Sequence, residues 1–222
     1  YSLTMTCCQI DLIDLFKGGF STGNGYLREP NSIRSYASLA CIAIQANQND
    51  QHGGQSIPNF DYAMALGVRK TYIKLFYKNL YKLLHFIDES VEIEAIKALV
   101  YEVNETYPVQ LKDEGYSNEL IKRLSKFSNI EKIVSQVSEI AFDETRDQTY
   151  QAMEALVHNL NTMHSRAGAQ VPFSALNYGT DTSLEGRMVM DCLLDATIAG
   201  LGNGETPIFP IQIFKVKEGV NY

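Results

Sequence analysis

The sequence predicts an α/β fold with a mostly parallel sheet or barrel. Short strand-like segments alternate with longer helical ones, at least four such strands can be picked out, and the turns between them are rich in glycine. The first element, SLTMTCCQIDL over 2–12, reads as a strand running into a short helix or turn, closed by FKGGFSTGNGYLREP. At a period of two, Leu3, Met5 and Cys7 share one face while Thr4, Thr6 and Cys8 share the other. The adjacent cysteines therefore point opposite ways, and only one of them looks into any given cavity.

PNSIRSYASLACIAIQANQ (30–48) reads as a helix capped by Asn31, with Ile33, Ala37, Ala40, Cys41 and Ile44 at helical spacing. It delivers the chain to NQNDQHGGQSIPNFDY (47–62), so polar that it is either a loop left to water or a surface shaped for a ligand. Strand character returns in GGQSIPNFDYAM, interrupted by Pro58, where a central strand could not donate. A long helical region follows, with Ile73, Phe76, Leu80, Leu83, Leu84 and Ile87 on one broad face. Residues 91–103 and 117–142 keep the helical period, with Pro108 and Gly115 as the break between them. A further helix over 145–166 carries Met153, Leu156, Val157, Leu160 and Met163 on one side. AQVPFSALNYGTDT (169–182) is a strand and loop, LEGRMVMDCLLDATIAG (184–200) a helix stopped by Gly200, and TPIFPIQIFKVKEG (206–219) a buried strand. The helical block exceeds what one crossover between parallel strands needs, which marks it as a subsidiary layer or a subunit contact.

Composition narrows the function classes. With 222 residues, 45% hydrophobic and 20% charged, the chain falls in the soluble globular class. It has no apolar run near the roughly 18 residues of a spanning helix, and its opening YSLTMTCC lacks the basic start and apolar middle of a signal peptide. A cytoplasmic protein with no membrane partner is expected. The net charge of −7 argues against polymeric nucleic acid, while a single nucleotide stays within reach of helix N-termini and a few arginines. Cysteines 7, 8, 41 and 192 show no repeated spacing, so neither a disulfide framework nor a metal knuckle is expected. The chain starts without methionine inside a strand and ends at KVKEGVNY, so the expectation is a fragment cut at both ends.

Few motifs carry chemistry on their own. GGFSTGNG (18–25) and GLGNGETP (200–207) suggest phosphate loops, but neither matches a phosphate-binding signature, and a helix stop with a turn explains the second. Histidines 52, 85, 158 and 164 form no metal set; His85 sits in the apolar LLHFI run, where a structural role is expected, and only His52 has polar company. A thiol at Cys8, on the strand face that it shares with Thr4 and Thr6, is either reactive or a buried structural cysteine.

Taken together, TMTCCQIDL, FSTGNGYLREPNSIRSYASLACIAIQANQNDQHGGQSIPNFDY, MEALVHNLNTMHSRAGAQVPFSALNYGTDTSLEGR and GLGNGETPIFPIQIFKVKEGVNY closely resemble the anaerobic (class III) ribonucleoside-triphosphate reductases, which are glycyl-radical enzymes. The resemblance spans essentially the whole chain and is loosest over 90–145. It implies a ten-stranded α/β barrel of two antiparallel halves, with residues 1–222 holding most of the first half and 69–166 forming a helical block within it. It implies a reaction in which a glycyl radical generates a cysteine thiyl, the thiyl takes hydrogen from the ribose 3′ carbon, and water leaves from the 2′ carbon. Formate or a thiol system supplies the electrons, and a radical-SAM enzyme activates the protein. A second cysteine on the first barrel strand faces the radical site, and the polar-face argument selects Cys8.

The same resemblance implies that Gln51, His52, Gly53, Gly54 and Gln55 line the substrate, joined by Ser174, Asn177 and the GNGETP turn, while Arg166 either meets phosphate or forms a surface salt bridge. It implies dNTP or ATP effectors at a homodimer interface built from helices, for which the 31–48 helix and the aromatic-rich 69–87 helix are the candidates, with Arg34 and Tyr36 expected exposed near the start of the former. The Met-Gly-Cys segment, the Arg-Gly-Tyr-like glycyl loop and the C-terminal zinc cysteines of the family do not occur here, nor does its ATP cone, so this piece is expected to be inactive alone. A second reading is a noncatalytic nucleotide-binding and dimerisation piece of a split or degenerate reductase. A formate-lyase relative would share the barrel but give no reason for QNDQHGGQ.

Overall fold

The structure, a computed structural model, describes residues 7–50, 53–164 and 169–222. The elements in chain order are β1 (Cys8–Gln9), α1 (Leu12–Phe16), β2 (Phe20–Ser21), β3 (Tyr26–Leu27), α2 (Ile33–Asp50), β4 (Gln55–Ile57), α3 (Phe60–Ile87), α4 (Ile93–Thr106), α5 (Glu114–Arg123), α6 (Ile130–Thr162), β5 (Ser174–Tyr178), α7 (Leu184–Ala199) and β6 (Ile211–Phe214). The chain divides into two compact units, one of residues 1–67 with 148–222 and one of residues 68–147. Among the described residues no helix is long and apolar enough to cross a membrane.

The first unit is built on a parallel sheet in the order β1-β4-β5-β6, so the expected parallel α/β arrangement is present as an open four-stranded sheet. Register assigns its two faces. Cys8, Gln55 and Ser174 align across the strands, as do Ile57, Leu176 and Gln212, and these belong to one face. There Gln55, Ile57, Ser174, Leu176 and Tyr178 are all buried. Asn47 of α2 reaches Gln55, and Thr197 of α7 receives a hydrogen bond from Gln212, so helices coat this side. Gln9, Ser56, Ala175 and Ile211 align on the opposite face, with Asn177 and Ile213 next to them, and every one is half-buried or exposed.

Local chemistry accounts for where the helices begin and end. Asp11 caps α1 by accepting from the N–H groups of Ile13 and Asp14. The cap of α2 is Ser32 rather than the expected Asn31: Ser32 Oγ accepts from Ser35 N at 3.4 Å, and Ser35 Oγ accepts from Ser32 N at 3.0 Å, a reciprocal capping box. Ser183 caps α7, and Gly200 ends it at φ +78°, a conformation that suits glycine. One polar contact secures the entry to β6: Asn161 Oδ1 accepts from the N–H groups of Ile208 and Phe209, and its Nδ2 donates to the Phe209 carbonyl.

In the second unit α4 and α5 pack with the adjoining parts of α3 and α6. Tyr116 is the hub; its ring meets Phe76 edge-on at 5.8 Å and its hydroxyl donates to the Val100 carbonyl at 3.1 Å. Burial pushes the Tyr116 phenol above its ordinary range. Asn79 Nδ2 donates to Glu144 at 2.7 Å, joining α3 to α6.

Several expected boundaries move. The two helices read over 117–142 and 145–166 become α5 and one 33-residue α6, because no glycine or proline interrupts 130–162. Gly115 lies inside α5, two residues after the Asp113 cap, instead of in the break. The glycine-rich stretch after α1 folds into the β2–β3 hairpin. The strand expected over 206–219 shrinks to four residues and is largely exposed, since β6 is an edge strand with one uncoated face.

Candidate functional site

The site begins at β1, a two-residue edge strand. Cys8 N donates to the Gly54 carbonyl at 3.2 Å, and Ile10 N donates to that of Ser56 at 2.8 Å. Cys7 immediately precedes the strand and is exposed, on the same side as exposed Gln9 by strand alternation. Cys8 falls on the helix-coated side, where Asn47 Nδ2 lies 2.8 Å from its Sγ. The sequence reading put Cys8 on the open side; the register with buried Gln55 and Ser174 puts it on the other. Both cysteines still border a cleft of about 360 Å3 with Gln9, Gly54, Gln55, Ser56, Phe173 and Ala175.

A larger cleft of about 600 Å3 lies at the amino ends of β4, β5 and β6, lined by residues that include Gln48, Gly53, Gly54, Val171, Phe173 and Phe209. Gly54 and Phe173 border both clefts. A Cβ on Gly54 would stand 2.8 Å from the Phe173 ring, and Gly53 has φ +106°, so each glycine has a local reason. Phe173 is exposed and meets Phe209 edge-on at 5.3 Å.

The remaining expected site residues divide. Gln55 is 2% exposed and accepts from Asn47 at 2.9 Å. Ser174 is fully buried and donates to the Pro172 carbonyl at 3.2 Å, so its hydroxyl belongs to the coated side. Asn177 lies on the open face and accepts from Ser56 Oγ at 3.1 Å. Gln51, His52 and Arg166 lie outside the described residues. Arg34 is exposed and lines a groove of about 280 Å3 with Ser38, Gln151 and Asn159. Tyr36, expected to be exposed, is core: it is 3% exposed and packs edge-on against Phe16 at 5.5 Å.

Other groups are occupied structurally. His85 Nδ1 sits 3.0 Å from the Val91 carbonyl, and His158 Nε2 sits 3.4 Å from that of Gly200. Burial pushes the Cys41 thiol up to about 12, which removes it as a nucleophile near neutrality. Among the described residues no group of three or more histidines, cysteines or carboxylates is placed to hold a metal ion.

Sequence reasoning missed the carboxyl ends of the strands. Asp61, fully buried near the start of α3, holds the loop after β5, and Lys215 Nζ donates to the Pro58 carbonyl at 2.7 Å and to Asn59 Oδ1 at 2.9 Å. An acid in the first turn of a helix is a weak sequence signal, and nothing in the chain order points to partners 118 positions away.

Comparison with known proteins gives a consistent result. The family model described as anaerobic ribonucleoside-triphosphate reductase matches residues 1–222. The anaerobic ribonucleoside-triphosphate reductase of Enterobacteria phage T4 is 28% identical over 217 residues, 97% of this chain and 27% of that protein. Its namesake from Escherichia coli (strain K12) is 25% identical over 217 residues, again 97% of this chain and 23% of the relative. The chain thus spans about a quarter of the length of these relatives.

Proposed function

Since the chain belongs to the anaerobic ribonucleoside-triphosphate reductase family, we propose that it supplies part of the catalytic barrel of an enzyme that reduces ribonucleoside triphosphates to 2′-deoxyribonucleoside triphosphates. On this reading residues 1–222 belong to the first half of a ten-stranded barrel and 69–166 form a helical block within it. The coated face of the sheet is the barrel exterior, and the face carrying Gln9, Ser56, Asn177, Ile211 and Ile213 is the interior. The observation that supports this most is the asymmetry of the sheet: one face is buried under α2 and α7, and the other carries exposed polar groups beside a free thiol.

Cys7, rather than Cys8, is then the strand thiol that meets the ribose. What supports the choice is its exposure on the side opposite to the Asn47 contact. A thiol there can give a proton to the departing 2′-hydroxyl, which leaves as water. Asn177 and Gln9 offer neutral hydrogen bonds to sugar hydroxyls without adding charge, and Gly53 and Gly54 let backbone approach the ligand. A glycyl radical supplies the one-electron chemistry in the complete enzyme, and formate or a thiol supplies the two electrons of the reduction. Activation by a radical-SAM enzyme, a homodimer, and a dNTP or ATP effector near Arg34 belong to the same proposal.

The test is made in the full-length reductase that contains this chain. Cys7→Ser is expected to lower dNTP formation by roughly a hundredfold or more while the glycyl-radical signal still loads, and Cys8→Ser to retain most turnover. Normal turnover in Cys7→Ser, with loss in Cys8→Ser, would overturn the assignment of the open face to substrate.

A further inference from the structure

Four residues stand in one row on the open face of the sheet. The register that pairs Cys8 with Gln55, Gln55 with Ser174 and Ala175 with Ile211 carries one row further toward the amino ends to Cys7, Gly54, Phe173 and Phe209. Cys8 N donates to the Gly54 carbonyl at 3.2 Å and Gln55 N to that of Phe173 at 3.0 Å, which holds the first three strands in step. Gly54 supplies no side chain, and the Phe173 ring takes the space: a Cβ on Gly54 would stand 2.8 Å from ring carbon Cδ1 and 3.1 Å from Cε1. Unlike Gly53, Gly54 has no left-handed φ, so it is the ring rather than the backbone conformation that calls for glycine there. Phe209 braces the same ring edge-on at 5.3 Å. Held on two sides, Phe173 is still 53% exposed, and it borders the cleft that contains Cys7.

The lining suits one part of a nucleotide. None of the described residues bordering the two clefts that share Gly54 and Phe173 is charged, so a triphosphate finds no counter-charge there. What the clefts offer is an apolar ring with a free face. Because that ring leans over Gly54, it stands above the strand next to β1, one sheet spacing of roughly 5 Å away. That is the scale of the step from a sugar carbon to the middle of its attached base.

On the function proposed above, we infer that Phe173, seated on Gly54 and braced by Phe209, is the platform on which the base of the ribonucleotide stacks while its ribose meets Cys7. Every base presents a π-face, so such a platform takes purines and pyrimidines alike and places the sugar without choosing among them. A ring that only awaited cover by another part of the protein would serve stability and be indifferent to the base.

The full-length reductase, left unactivated so that nothing turns over, is titrated with CTP and with ribose 5-triphosphate, which has the same sugar and phosphates but no base. Wild type is compared with Phe173→Ala, Phe173→Leu, Phe173→Tyr and Gly54→Ala. Phe173→Ala is expected to weaken CTP binding about tenfold and to leave ribose 5-triphosphate within about twofold, the difference one stacked base makes. Phe173→Leu keeps bulk without a π-face and should lose most of the same affinity, whereas Phe173→Tyr keeps the face and should restore it. Gly54→Ala displaces the ring and should weaken CTP in the same base-dependent way. Equal losses for the two ligands, or unchanged CTP affinity in whichever of the alanine and leucine variants folds, would overturn the platform. A base-dependent loss in a protein whose Cys7→Ser variant turns over normally would keep the platform and reject Cys7 as the strand thiol. A base-independent loss with an inactive Cys7→Ser would do the reverse.

Discussion

Asp61 Oδ2 accepts the backbone N–H of Gly179 at 2.8 Å, and the same oxygen takes those of Thr180 at 3.1 Å and Asp181 at 3.0 Å. One buried carboxylate thereby ties the first turn of α3 to the loop that leaves β5 and caps α7. Asp61→Ala orphans amides of a buried loop and is expected to destabilise the protein by roughly 3 kcal/mol or more. Asp61→Asn keeps an acceptor oxygen but loses the charge, so about half that loss is expected. Urea unfolding of the three proteins checks the order, and equal stability of wild type and Asp61→Ala would refute the role.

The four cysteines should separate by reactivity. Exposed Cys7 is expected to be alkylated fast, half-buried Cys8 more slowly, and buried Cys41 and Cys192 only on unfolding. Peptide mapping after brief alkylation reads this directly; early labelling of Cys41 would contradict its burial.

Cys41 also carries a pH signature. Its thiol is raised from 9.0 to about 12 by burial, which outweighs the hydrogen bond from Asn159. Below pH 9 folded and unfolded chains both keep the proton and nothing is contributed. Between pH 9 and 12 the unfolded chain releases a proton that the folded chain retains, so stability falls as pH rises, by at most about 1.4 kcal/mol per unit for this group. Buried Tyr72 and Tyr116, also raised, act in the same direction. Cys41→Ala should make the stability slope between pH 9 and 11 shallower, as denaturation at several pH values would reveal.

Gly67, in α3, pits helix propensity against packing. Alanine there gains about 1 kcal/mol of propensity, but its Cβ would stand 2.9 Å from the Tyr36 ring and 3.0 Å from Ile33 Cα. Tyr36 is buried against Phe16 and Ile33 Cα is backbone, so neither can give way easily. Overpacking of about 1–3 kcal/mol is expected to win. A higher Tm for Gly67→Ala would show that α2 moves aside.

For the effector proposal, Arg34 is the residue to change, since Tyr36 is committed to the core. In the full-length enzyme Arg34→Ala should weaken dNTP effector binding about tenfold, the worth of one charge-assisted contact. Unaltered effector binding would remove the Arg34 groove from consideration.

Periodicity made most of the helices and the strand segments of the parallel sheet legible in the sequence, because α2, α3 and α7 alternate buried and exposed positions at helical spacing and β5 at strand spacing. It failed where polarity and period disagreed. The DETRDQ run inside α6 reads as a break, yet Thr145 and Thr149 are buried and the helix runs through. Two residues of alternation could not fix the faces at Cys7 and Cys8. Polarity of Thr4 and Thr6 suggested one side, whereas the pairing of Cys8 with Gln55, itself under α2, decides the other. Asp61 and Asn47 were illegible for a different reason: their partners are set by tertiary approach alone.

Asn161 leaves a trace of another kind. It answers the Ile208 and Phe209 backbone through N–H and C=O groups, which every residue except proline presents alike. Ile208 is 75% exposed, so its side chain is under little constraint from within this chain. Drift at position 208 should therefore be tolerated across a wide range of amino acids, while position 161 should accept almost none: one invariant letter would stand guard over a neighbour free to change.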